Sequence, residues 1–148
     1  MVMTRGQLLK AVDTKRIEEA IRNAEQRTSG EICVSVSRLF WGSVEGAARK
    51  AFDRMGITGT RDRNGILFFI VPSRRKFVVL GDAGIHAKVG QAFWQSVADA
   101  LSAKFHQGDF TGGLVQGIEV VGEQLANHFP YDSTSDKNEL HDGVDFGG

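Results

Sequence analysis

The chain has 148 residues and a mass of 16.2 kDa, a length at which one domain is expected. Hydrophobic residues make up 41% of it and charged residues 24%, the balance of an ordinary globular protein, which excludes a chain disordered throughout. Eighteen Lys and Arg offset eighteen Asp and Glu, and a zero balance argues against general nucleic-acid binding, which draws on a basic excess.

The opening stretch, Met1 to Lys10, has no apolar core of signal-peptide length. The longest apolar run, Ile66 to Val71, falls far short of the roughly 18 residues a membrane helix needs. A cytoplasmic protein with no membrane helix is the expectation. Ile17, Ala20, Ile21 and Ala24 then recur at helical spacing, with Asp13 or Thr14 placed to cap a helix reaching about Arg27. Thr28-Ser29-Gly30 breaks it. From Glu31 to Ser37 the pattern alternates, with Ile32, Val34 and Val36 on one side and Cys33, Ser35 and Ser37 on the other, which predicts a strand. Cys33 is the single cysteine, so no intrachain disulfide is possible. It reads as a small buried hydrophobe, the alternative being a reactive thiol.

Ser43 is placed to cap a second helix, whose apolar face is Val44, Ala47, Ala48, Ala51, Phe52 and Met55 and which Gly56 ends. Ile66 to Val71 is a continuous apolar run between Gly65 and Pro72, the pattern of a strand buried on both faces. Pro72 to Arg75 reads as a turn and Lys76 to Leu80 as a second buried strand, so the pair forms an antiparallel hairpin. Two helices follow. One carries Phe93, Val97, Leu101 and Phe105; the other runs from Phe110 to Phe129 with Asp109 as its cap. Gly113 and Gly117, one turn apart, let a neighbour approach closely. Strands buried on both faces need helices on both sides, so the predicted fold is α/β, a three-layer α/β/α sandwich with a small mixed sheet.

Charge divides the chain. Residues 131–148 hold five acids and one base, and residues 1–130 hold 17 bases and 13 acids. The expected organisation is one domain over 1–130 and a mobile acidic tail over 131–148.

The common catalytic motifs are missing: no phosphate-binding glycine loop, no H-E-x-x-H, no paired cysteines and no G-x-S-x-G. His86, His106, His128 and His141 are scattered; His106 and His128 fall near helix C-termini, where the helix dipole favours a positive charge. Topology gives more. A helix links the first two strands, which makes them parallel, so both begin at one end of the sheet and the third strand finishes there. Glu31 starts the first strand, Asp62 and Asn64 precede the second, and Asp82 follows the third. Carboxylates brought together repel unless a cation or proton joins them. Four oxygen-bearing side chains on one rim suit Ca²⁺ or Mg²⁺ rather than Zn²⁺. The same acids equally suit loop capping or pairing with Arg61 and Arg63. At the other rim, Leu39-Phe40-Trp41 lies near Arg74, Arg75 and Lys76, a set open to an anion or a partner protein, or else a solvated turn beside a partly buried aromatic lid.

Five short segments carry a resemblance in their order and spacing: Thr28-Ser29-Gly30-Glu31-Ile32, Arg63-Asn64-Gly65-Ile66-Leu67, Leu80-Gly81-Asp82-Ala83-Gly84-Ile85, Phe93-Trp94, and Phe105-His106-Gln107-Gly108-Asp109-Phe110 leading into Gly113-Leu114. The chain resembles the TPM domain family over about residues 13–129. That resemblance implies an α/β/α sandwich, divalent-cation binding (often Ca²⁺) in some members, and the weak acid-phosphatase activity attributed to a plant member. Many members carry a signal peptide and a membrane helix; this chain looks like a short, soluble bacterial variant.

Two functional classes follow. One is a non-enzymatic, cation-binding interaction or maintenance domain with a protein partner, metal ligands Glu31, Asp62, Asn64 and Asp82. The other is a metal-assisted phosphatase, with Asp62 or Asp82 on the metal and His86 or Lys88 holding phosphate. A third, weaker reading uses the Phe40/Trp41 rim as a partner surface.

Overall fold

Apolar residues spaced by two and by three to four set the layers. A computed structural model describes residues 5–131 and 143–147. Helices α1 (Arg5–Ala11) and α2 (Thr14–Glu25) lead into strand β1 (Glu31–Val36). Helix α3 (Val44–Arg54) and a 3-10 turn (Ile57–Gly59) connect β1 to β2 (Gly65–Val71). A second 3-10 turn (Pro72–Arg74) carries the chain into β3 (Lys76–Gly81). Helices α4 (Ala83–His86), α5 (Gln91–Phe105) and α6 (Phe110–His128) complete the order.

The sheet order is β1-β2-β3. Strands β1 and β2 are parallel, with Glu31 opposite Gly65; β2 and β3 are antiparallel, with Ile66 opposite Gly81 and Val71 opposite Lys76. The parallel pair and the hairpin both match the sequence reading. Strand alternation then sorts the core. Ile32, Val34, Ile66, Phe68 and Ile70 face a core completed by Ile17, Leu101, Leu114 and Ile118 of α2, α5 and α6. Cys33, Leu67, Phe69 and Val71 face a smaller core with Val44, Ala48, Ala51 and Ile57. Every residue of β2 is buried, as a strand covered on both faces must be. The result is the expected three-layer α/β/α sandwich.

Local signals fix the helix ends. Asp13, Ser43 and Asp109 each accept a backbone N–H of the first turn, from Arg16, Gly46 and Gly112, and so satisfy donors the helix leaves free. Gly56 follows α3 with φ +68°, a conformation that favours glycine. Gly113 sits against the Phe105 ring and Gly117 against Phe68 and Leu101, so α6 packs closely on α5 and the sheet.

The sequence pattern marks neither α1 nor α4; at four residues, α4 is too short to show a periodic face. One element differs from expectation. Strand β3 is half-buried rather than fully buried, because it is an edge strand with a neighbour on one side only. Of the acidic tail, residues 132–142 lie outside the described residues, and 143–147 are placed against β1. Asp145 pairs in parallel with Ser35. The Val36 N–H donates to the Asp145 carbonyl at 2.7 Å, and the Asp145 N–H to the Val34 carbonyl at 2.9 Å. Val144 and Phe146 pack on the larger core. Edge-strand N–H and C=O groups need partners, and this segment supplies them for β1.

Candidate functional site

The strand ends form the rim that topology predicted. The Glu31 N–H donates to the Asn64 carbonyl at 3.3 Å, and the Asp82 N–H to the Gly65 carbonyl at 2.9 Å, so Glu31, Asn64 and Asp82 follow one another across the sheet. The side chains of Asp62, Asn64 and Asp82 hydrogen-bond to different partners. Asn64 is buried; its Nδ2 donates to Ser29 Oγ at 3.3 Å and its backbone N–H to Thr60 Oγ1 at 3.2 Å. Glu31 is buried at the start of β1. Asp62 is exposed and takes the Arg61 guanidinium at 3.2 and 3.4 Å. Asp82 is 5% exposed and takes both Nε and Nη2 of Arg63, at 2.6 and 2.7 Å. Its Oδ1 also accepts the Ala83 N–H at 2.8 Å, capping α4.

These contacts set the charge of Asp82. The hydrogen bond from Arg63 holds its carboxyl below the ordinary range, helped by the Ala83 N–H and opposed by burial. Backbone geometry brings Arg63 there. Arg63 has φ 51°, which turns the loop after Asp62 tightly, and its carbonyl accepts the Gly84 N–H at 2.8 Å. Gly84 is the one residue type that fits: a Cβ there would strike the Asp62 and Arg63 carbonyl oxygens.

The two exposed sides of this rim are distinct hollows. Asp82 lines one of about 250 Å³ together with Asp53 and His86. Asp62 lines the other, of about 550 Å³, with Ser29, Lys88 and His128. Backbone convergence therefore does not gather the four predicted ligands' side chains into one cluster. Among the described residues, no group of three or more His, Cys, Asp or Glu is placed to hold a metal ion. Sequence reasoning missed Asp53, whose place on α3 beside the apolar Phe52 gave no signal. The pairing of Asp62 with Arg61 and of Asp82 with Arg63 is the alternative that the sequence set beside metal binding.

At the far rim Arg74 and Arg75 are already engaged. Arg74 stands 5.4 Å from the Phe40 ring centroid and donates from Nη1 to the Phe40 and Gly42 carbonyls at 3.3 and 2.9 Å. Arg75 Nη1 donates to the His106 carbonyl at 3.3 Å. Trp41 is 88% exposed, so it is not part of a buried lid. Among the described residues no helix is long and apolar enough to cross a membrane.

Comparison with known proteins agrees with this architecture. The profile of the TPM domain matches residues 2–124, and the chain belongs to the TPM domain family. Its structure is similar to the NMR structure of the BA42 protein from the psychrophilic bacterium Bizionia argentinensis, at 35% identity, 94% coverage of each chain and a TM-score of 0.86. It shares its fold with the N-terminal domain of the cg2496 protein from Corynebacterium glutamicum, at 19% identity, covering 88% of this chain and 75% of that one, with a TM-score of 0.56. The N-terminal domain of a P. gingivalis protein is similar at 16% identity, over 89% of this chain and 98% of that one, with a TM-score of 0.63. No curated protein sequence matches.

Proposed function

We propose that this TPM domain is a non-enzymatic interaction domain whose rim takes a divalent cation at Asp82, with Arg63 filling the cation's place when none is bound. The observation that carries this reading is the Arg63–Asp82 pair. A carboxylate that stays ionised at 5% exposure needs a positive partner, and Arg63, its side chain half exposed, is the group a cation would displace. The donor set favours Mg²⁺ over Ca²⁺. Ca²⁺ takes about six to eight oxygens, whereas Mg²⁺ keeps several waters and needs only one or two carboxylates. Asp82 and Asp53 line one hollow and supply that number. Asp62 lies in the neighbouring hollow and Asn64 is held by Ser29, so the proposal rests on Asp82.

The phosphatase reading draws on the same hollow with less support. His86 lines it but packs on the Trp94 ring at 5.1 Å, and Lys88 lies in the other hollow, near the Phe129 ring.

Thermal unfolding in EDTA, Mg²⁺, Ca²⁺ and Zn²⁺ tests the proposal on wild type, Arg63→Gln and Asp82→Asn. A ligand of the folded state alone adds about 2.7 kcal/mol at a hundred times its Kd. Mg²⁺ or Ca²⁺ should raise Tm in wild type, raise it further in Arg63→Gln, and leave Asp82→Asn unmoved. Three proteins indifferent to every metal would overturn the proposal. Metal-dependent phosphoester cleavage by wild type that Asp82→Asn loses would replace the non-enzymatic reading.

A further inference from the structure

The edge of β1 that faces away from β2 is covered by the chain itself, and the manner of covering is that of strand addition. One residue pair, Ser35 with Asp145, makes the bridge, with a main-chain hydrogen bond on either side of it. Nearer the start of β1, the Ile32 N–H is already taken by the Glu25 carboxylate at 3.0 Å. Pairing along this edge therefore begins at Val34 and can only extend past Val36. The side chain of Asp145 adds the specific contacts. Arg54 donates to it from Nη1 and Nη2 at 3.0 and 2.7 Å, and Ser35 Oγ donates at 2.7 Å.

This occupant leaves much of the edge unused. A groove of about 540 Å³ remains beside it, lined by Arg38, Lys50 and Arg54 with Phe69 and Phe146. Three cations there meet one carboxylate. Among the described residues Arg54 is in an ion pair with Asp145, and no ion pair takes Arg38 or Lys50. The bridge is parallel, so the positions after Asp145 run in the direction of Ser37 and Arg38. In this chain those positions are Phe146, Gly147 and Gly148, which bring no further acid.

We infer that the β1 edge is a docking site for an extended acidic segment of a partner protein, of the form apolar-Asp-aromatic followed by acids, and that Gly143–Gly147 is the chain's own occupant of it. The partner's aspartate takes Arg54 and Ser35, its aromatic residue takes the place of Phe146, and its later acids reach Arg38 and Lys50. The tethered segment competes from within the same molecule, at an effective concentration of roughly millimolar, so the site opens only to a segment that binds better than it does. This inference does not rest on the Asp82 reading, which lies at the other end of the strand.

Two labelled synthetic peptides test it by fluorescence anisotropy against the full chain. One carries residues 141–148 as they stand, and the other adds two glutamates after Gly148, since Gly147 has φ 103°, a conformation that a side chain would strain. Wild type should bind the first weakly, and Asp145→Ala, its own occupant weakened, at least tenfold more tightly. Adding Arg54→Ala to Asp145→Ala should abolish that gain. The glutamate peptide should bind Asp145→Ala more tightly than the native one, and this advantage should disappear with Arg38→Ala plus Lys50→Ala. Asp145→Asn, which keeps the side chain's shape, serves where Asp145→Ala does not fold. Peptide binding no tighter in either Asp145 variant than in wild type would overturn the inference. So would a concentration-dependent dimer of wild type that Arg54→Ala dissolves, since it would assign the edge to a second copy of this chain.

Discussion

Arg63 places two guanidinium nitrogens on the two carboxylate oxygens of Asp82, at 2.6 and 2.7 Å, across 19 positions of sequence. The pair fastens the loop before β2 to the start of α4 and fixes the charge on the rim. It also ties the fold to pH, as does Asp145. Burial pushes Asp145 up, but hydrogen bonds from Arg54 and Ser35 outweigh it and hold the carboxyl below its ordinary value.

Both carboxyls are lower in the folded chain than the ordinary value of 3.8. Their stabilisation is therefore complete above that value and is lost as pH falls beneath it through the folded values. Thermal unfolding followed from about pH 6 to about pH 2 should show Tm falling most steeply at the acid end. Asp82→Asn and Asp145→Asn should each lower Tm at neutral pH and flatten that fall. A variant with the wild-type slope would show its carboxyl to be uncoupled from folding.

Gly84→Ala should destabilise the fold by about 1–3 kcal/mol, the range for overpacking, because its Cβ would meet the carbonyls of Asp62 and Arg63, which are backbone and cannot rotate away. Gly59→Ala is the control, since a Cβ there meets nothing within 4 Å. Urea unfolding of both should separate them; equal midpoints would contradict the close approach.

Leu114 is fully buried between the helices and the sheet, and Leu114→Ala should cost about 2–5 kcal/mol. Asp109 caps the same helix through the Gly112 N–H at 2.8 Å, and Asp109→Ala should cost only about 1 kcal/mol. Chemical denaturation gives the ranking, and a cap worth more than the core leucine would reverse this account of α6.

Cys33 is buried in the smaller core, under α3. Its thiol should react with an aromatic disulfide reagent only in denaturant. Rapid reaction of the native protein would restore the reactive-thiol alternative.

The fold was readable because its signals are local and redundant. The alternation from Glu31, the unbroken run from Ile66, and the caps Asp13, Ser43 and Asp109 each marked an element that formed. The rim was readable at the level of backbone, since a helical crossover and a tight hairpin fix which strand ends adjoin. Side-chain direction was not. Asp82 shares its hollow with Asp53 and not with Asp62, and nothing short of the assembled loop reveals that. Nor could charge pattern show that one residue of an acidic stretch, Asp145, would meet Arg54 from 91 positions away.

The two tryptophans are unequal witnesses to the rim. Trp94 touches His86 on one side and fills the space where Gly81 has no side chain, one residue before Asp82. Trp41 is bathed in solvent at the far rim. The chain thus carries an intrinsic optical gauge: with Trp41 changed to Phe, the remaining indole emission should move in colour or intensity whenever Arg63 lets go of Asp82, with no dye attached.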